Sequence, residues 1–261
     1  MTSRGSLQEM PGLGFKLPTS PLIEEAALFV EKHCDEFVYN HAVRCAYWAV
    51  LIAKTISKSG TQSVDIDLIV IICILHDMGL AKSKADALPG LSLDKRFEVD
   101  GANIARDFIA SHTVDAHGWN AARLDRLWVA IALHTTPSIA LHAIPEVALA
   151  HQAITADFAG PYWSPECEGG GPVSMEEYRI ITNTFPRGDF NREGLKKVMC
   201  GLCREKPETT YDNFVGLFGR NFGYDGKGLG REEYAQHWED NQVAEPLLQS
   251  LDALDKLDAS C

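Results

Sequence analysis

The chain has 261 residues, with 24 Lys and Arg against 36 Asp and Glu, a formal charge of −12. Apolar residues make up 46% and charged residues 23%, the balance of a folded globular protein and not of a disordered or fibrous one. The acidic excess argues against a nucleic-acid binder, which needs a basic face for the phosphate backbone, and it suits a protein that acts on a small molecule.

Residues 1–20 carry Gly, Pro and Ser with little periodicity and no apolar stretch of the secretion-signal kind, so they read as a mobile or loosely docked arm. A helical stripe follows, with Leu22, Ile23, Ala26, Ala27, Phe29 and Val30 on one face and Glu24, Glu25, Glu31 and Lys32 off it. Ala42, Val43, Cys45, Ala46, Ala49, Val50, Ile52 and Ala53 continue a longer helix that Gly60 and Ser63 break. The run Leu68–Leu75 is apolar throughout and has no diagnostic period. It suits a buried strand or a buried helix. Helical neighbours and the absence of convincing strands favour the helix, with Asp65 or Asp67 as cap and Gly79 as stop. Its eight residues fall well short of the ~20 that cross a bilayer.

Residues 81–97 form a polar loop. Helices are expected over 101–111, 121–134 and 145–158, the last with a proline in its first turn and Pro137 interrupting before it. These elements make an all-α core over residues 21–160. From residue 161 the composition changes to Pro and Gly, and short helices are expected at 174–184, 192–203 and 231–256, with an irregular glycine-rich stretch at 216–230. Residues 161–261 therefore read as an extension packed on the core, serving as a cover for the site or as a contact for a homo-oligomer. Seven cysteines without framework spacing read as free thiols in a reducing, cytoplasmic setting. Cys200 and Cys203 form a CxxC, but no βαβ layout surrounds it.

Four features carry chemistry: His41 within Tyr39-Asn40-His41, the dipeptide His76-Asp77 that ends the apolar run, His134 within Leu133-His134-Thr135-Thr136, and Asp157 within Ala156-Asp157-Phe158. An ionisable pair directly after eight apolar residues is expected to be buried, and buried charge is costly unless it is paired or bound to metal. Two imidazoles and two carboxylates suit Zn2+, Fe2+ or Mn2+.

The order His, His-Asp, Asp on successive helices resembles the HD superfamily of metal-dependent hydrolases. Within it the chain is similar to the cyanamide hydratase group. The similarity lies in Tyr39-Asn40-His41 with Arg44 and Tyr47-Trp48, in Leu75-His76-Asp77-Met78-Gly79, in Arg96-Phe97-Glu98-Val99-Asp100-Gly101, and in Asn183-Thr184-Phe185-Pro186-Arg187. The resemblance implies that His41, His76, Asp77 and Asp157 ligate one divalent ion, zinc foremost. Two-metal members carry a histidine four residues before the glycine of the third segment, and Phe97 stands there. The implied activity is hydration of a nitrile-type carbon in a small molecule. Phosphoester hydrolysis, two-iron oxygenation and a non-catalytic metal-stabilised binding module are the alternatives.

Glu98 is the candidate proton-transfer group, or else a surface residue capping the helix that follows. Arg44, one turn beyond His41, is placed to pair with a ligand carboxylate or to hold an anionic substrate. His134 has three readings: a helix-terminal residue bonded to a carbonyl, a group beside the substrate, or a ligand of a second metal.

Overall fold

A computed structural model describes residues 7, 10, 12–58, 64–81, 88–112, 118–162 and 173–259. The expected breakers Gly60 and Ser63, and the run Gly169–Pro172, lie outside these residues. All regular structure among them is helical, as the all-α reading requires. The chain divides into two compact units, Met1–Phe190 and Asn191–Cys261.

The first unit is built from α1 (Pro21–His33), α2 (Glu36–Lys58), α3 (Ile66–Leu75), α4 (Phe97–His112), α5 (Ala121–Leu133), the short α6 (Pro137–Ala140), α7 (Pro145–Ala159) and α8 (Met175–Thr184). The Asp65 side chain caps α3 by accepting from the Leu68 N–H, which satisfies one of the donors a helix start leaves open. All of Leu68–Leu75 is buried, because α1, α2, α4, α5 and α7 surround this helix. A helix that is apolar all round needs that central place. The unit is thus a shell of amphipathic helices about one apolar rod, whose C-terminal end carries His76-Asp77.

The described part of the N-terminal arm is not loose. Leu13 and Leu17 are buried in the core cluster, and Lys54 Nζ lies 3.8 Å from the centre of the Phe15 ring. The arm's leucines supply apolar area that its glycines and prolines conceal in a composition count. Pro137 does not merely interrupt. It opens α6, where a missing N–H costs nothing.

The second unit holds α9 (Arg192–Glu205), α10 (Phe214–Phe222), α11 (Arg231–Asp240) and α12 (Ala244–Asp258). Two expectations are corrected here. The glycine-rich stretch contains α10, whose Gly219 lies against the Tyr234 ring so closely that a Cβ would stand 2.6 Å from it. There the glycine serves helix packing. The single helix expected over 231–256 is two, broken at residues 241–243. The break puts Pro246 in the first turn of α12 instead of a helix interior, where it would remove a hydrogen bond and clash.

Helix α4 begins at Phe97, four residues before the expected Gly101. A 3-10 turn over Met78–Leu80 packs against its start. A Cβ on Gly79 would stand 1.8 Å from the Phe97 carbonyl oxygen, so this approach admits only glycine. Gly79→Ala is expected to cost about 3 kcal/mol, the upper end for overpacking. It should appear as a lower urea midpoint at unchanged slope. A midpoint equal to that of the wild type would show that this approach does not constrain the fold.

Candidate metal centre

His76 and His134 are presented by the same device. Each is the C-cap of its helix, α3 or α5. The His76 Nδ1–H donates to the Cys73 carbonyl at 2.8 Å, and the His134 Nδ1–H donates to the Ile131 carbonyl at 2.7 Å. These bonds satisfy open carbonyls at the helix ends and turn each Nε2 lone pair inward.

The Nε2 atoms converge on Asp77. The carboxylate Oδ2 lies 3.2 Å from His76 Nε2 and 3.8 Å from His41 Nε2, and Oδ1 lies 3.8 Å from His134 Nε2. His76 Nε2 is buried and makes no well-formed hydrogen bond among the described residues, although Asp77 Oδ2 lies 3.2 Å away. An unpartnered buried nitrogen costs about 1–3 kcal/mol. A cation seated among these lone pairs would remove that cost, so the residues present fit a divalent metal. The ligand atoms of His76, Asp77 and His134 lie within 4.8 Å of one another, as do those of His41, Cys45 and His76.

Charge and burial compete across the cluster. Burial would raise the Asp77 carboxyl, but His76, His41 and His134 hold it well below the usual carboxylate range. Burial, the largest influence, pulls His76 down, but Asp77, the bond to the Cys73 carbonyl and the Asp157 charge together outweigh it, so the net shift is upward. Burial lowers His41 despite Asp157. Burial and then the neighbouring His76 lower His134 to about 4, which keeps its imidazole neutral at ordinary pH. Burial pushes the Cys45 thiol far up, although its Sγ lies 3.6 and 3.8 Å from the two ring nitrogens of His41.

Asp157 stands behind His41. Its Oδ2 accepts from His41 Nδ1 and from Arg44 Nη2, both at 2.7 Å, and its Oδ1 accepts from Arg44 Nε at 2.8 Å and Trp48 Nε1 at 2.7 Å. Arg44 also donates to the carbonyls of Phe185 and Pro186, which ties the 185–190 segment to α2. From that segment Phe190 stacks on His41, with ring centroids 4.3 Å apart.

The histidines, the His-Asp pair and the distant aspartate lie in the stretch of chain that a family comparison matches. Residues 38–159 match the HD domain. No curated protein matches the chain. HD domains are typical of metal-dependent hydrolases, and residues 38–159 carry His and Asp side chains that could hold a metal ion.

Beside this cluster lies a second polar group. Glu98 is 1% exposed, in the first turn of α4 instead of on the surface. Its Oε1 accepts from Arg96 Nη2 at 2.8 Å and from the Thr135 hydroxyl, while its Oε2 lies 3.4 Å from Arg96 Nε. Phe97 packs its ring against His134 at 5.7 Å.

Of the expected site residues, the structure gathers His41, His76, Asp77 and His134 by their Nε2 and carboxylate atoms. It brings Glu98 to their edge, and it joins Asp157 and Arg44 as a buried ion pair on the far side of His41. The sequence reading did not find the roles of Thr135, Trp48 and Phe190. Nor did it find His151, whose Nδ1–H donates to the His134 carbonyl at 2.7 Å. Only the adjacency of Thr135 to His134 was a usable signal; the others reach the site through tertiary contacts.

Proposed function

We propose that this protein is a metal-dependent enzyme that adds water to a small uncharged molecule, with a nitrile-type carbon as the leading substrate class. The observation that carries the reading is the convergence of three imidazole Nε2 atoms on the Asp77 carboxylate, with His76 Nε2 left buried and unpartnered. His41, His76 and Asp77 would hold the ion directly, and Asp157 belongs to the same centre through its bond to His41. A divalent ion there supplies Lewis acidity and lowers the pKa of water.

The chain's own residues do the rest. Glu98 is oriented by Thr135 and Arg96 through Oε1, which leaves Oε2 the less engaged oxygen and the atom to accept a proton from water and return it to nitrogen. Phe158 and Phe190 flank His41 and limit the approach of bulky groups.

The commitment of the arginines supports an uncharged substrate over a phosphoester. Arg44 is spent on Asp157 and two carbonyls, Arg96 on Glu98, and Arg187 on the Asp157 carbonyl and the Tyr178 hydroxyl. A phosphoester would have to compete for these cations.

The test is turnover of cyanamide and simple nitriles, beside a panel of phosphomonoesters, by zinc-loaded and chelator-stripped protein. Nitrile turnover only in the loaded protein is expected. Phosphoester turnover alone would overturn the substrate class. Glu98→Gln keeps the side-chain shape and should lower kcat by about 100-fold or more at unchanged metal content. An unchanged kcat would remove Glu98 from proton transfer.

A further inference from the structure

We propose that α12 is a dimerisation surface, pairing antiparallel with the α12 of a second copy of this chain.

Among the described α-helices α12 alone has no buried residue, and all 15 of its residues are exposed. A helix of that length is marginal by itself in water and draws its stability from packing an apolar face. Such a face is present. Val243, the N-cap residue, is followed by Leu247, Leu251 and Leu254 at helical spacing, and Leu248 lies beside them. Glu245, Gln249, Asp252 and Lys256 run along the opposite side.

The five apolar side chains are 53–71% exposed. A contiguous exposed stripe of this kind marks a contact site. It presents on the order of 500 Å² on each copy, so a pair would bury about 1,000 Å², the area that a specific interface must clear.

Charge selects the occupant and its direction. A helix that lies on a lipid surface carries Lys and Arg on its polar face, whereas α12 sets Lys256 against Glu245, Asp252, Asp255 and Asp258. The carboxylates that border the stripe, Asp255 and Asp258, both lie in the C-terminal half. Parallel pairing would place each of them against its own copy, at the negative ends of two helix dipoles. Antiparallel pairing places them against the first turn of the other helix, where the dipole is positive and the stripe is bordered by no acid. A two-fold axis then passes beside Leu251, and Leu247 faces Leu254 of the second copy.

Sedimentation velocity on the full-length protein reads the association, at about 0.15 M salt so that the repulsion between two acidic chains is screened beyond ~8 Å. The wild type is expected to move from the chain mass to twice that mass as concentration rises through the micromolar range. Leu247→Lys or Leu254→Glu alone puts an unpaired charge into the stripe. Each should weaken dimerisation by about 30-fold or more, the loss that accompanies a buried anchor. Both positions are exposed in the single chain, so each variant should keep the urea midpoint that the wild type shows at low concentration. An equimolar mixture of the two variants should recover dimer, because the introduced ammonium then faces the introduced carboxylate across the axis. A mixture that stays monomeric would overturn the antiparallel pairing. Variants that dimerise as the wild type does would overturn α12 as the surface. A wild type that keeps the chain mass throughout would leave the stripe to another partner and overturn the proposal.

Discussion

His76→Ala is expected to empty the centre. The wild type should bind about one zinc per chain and the variant almost none. Removing a partner behind a ligand costs about 10–100-fold in affinity, and removing a ligand must exceed that. Turnover should vanish with the ion. The stability readout separates this from simple unfolding. An ion that binds only the folded state stabilises it by about 2.7 kcal/mol at 100 times its dissociation constant, so zinc should raise the melting temperature of the wild type and leave that of the variant unmoved. In the absence of zinc the two should differ less, because the ion's share of the wild-type stability is then gone. A folded variant that keeps its zinc would exclude His76 from the centre.

Arg44→Ala is expected to give the largest loss of stability of any single change at this site. Both members of the Arg44–Asp157 pair are 0% exposed. Truncating the arginine leaves Asp157 buried with His41, Trp48 and, at 3.9 Å, Arg187 for partners. Breaking a buried pair from one side costs about 3–5 kcal/mol. The carbonyls of Phe185 and Pro186 lose their donor in the same step, so the 185–190 segment should loosen and Phe190 should leave His41. Urea unfolding measures the first effect, and hydrogen exchange in that segment the second.

Arg44→Lys should recover only part of the loss, because an ammonium cannot reproduce the two-pronged contact. The sign of the pH dependence follows from Asp157. Burial would raise its carboxyl, but Arg44 and His41 hold it well below the usual range. The stabilisation is therefore complete above about pH 4 and is lost as pH falls through the depressed value. A loss under 1 kcal/mol in Arg44→Ala would mean that the pair does not hold the segment.

Much of this protein was legible in one dimension. The central helix was identified despite its lack of period, because eight apolar residues followed by His76-Asp77 and flanked by helical stripes left little room for a strand. The caps at Asp65 and the proline that opens α7 were local signals, and local chemistry settled them. The same holds for the order of His41, His76-Asp77 and Asp157, which pointed to a metal before any fold was known. The misreadings of helix extent were at glycines and prolines, as in α10 and at Pro137, where a residue's effect depends on what lies against it.

The sequence by itself determined the all-helical class, the buried rod, and the identities of the ionisable residues that meet at its end. Only the tertiary structure decided which partners each of them meets there. Asp157 bonds His41 while Arg44 and Trp48, on another helix, occupy both its oxygens. His134 turns toward the cluster because a helix-end carbonyl takes its other nitrogen. Glu98 is buried because α4 starts a turn early and Thr135 meets it. Residue type sets what a side chain can bond, but the partners that use up its lone pairs and donors come from segments distant in sequence, and their directions exist only once the helices have packed.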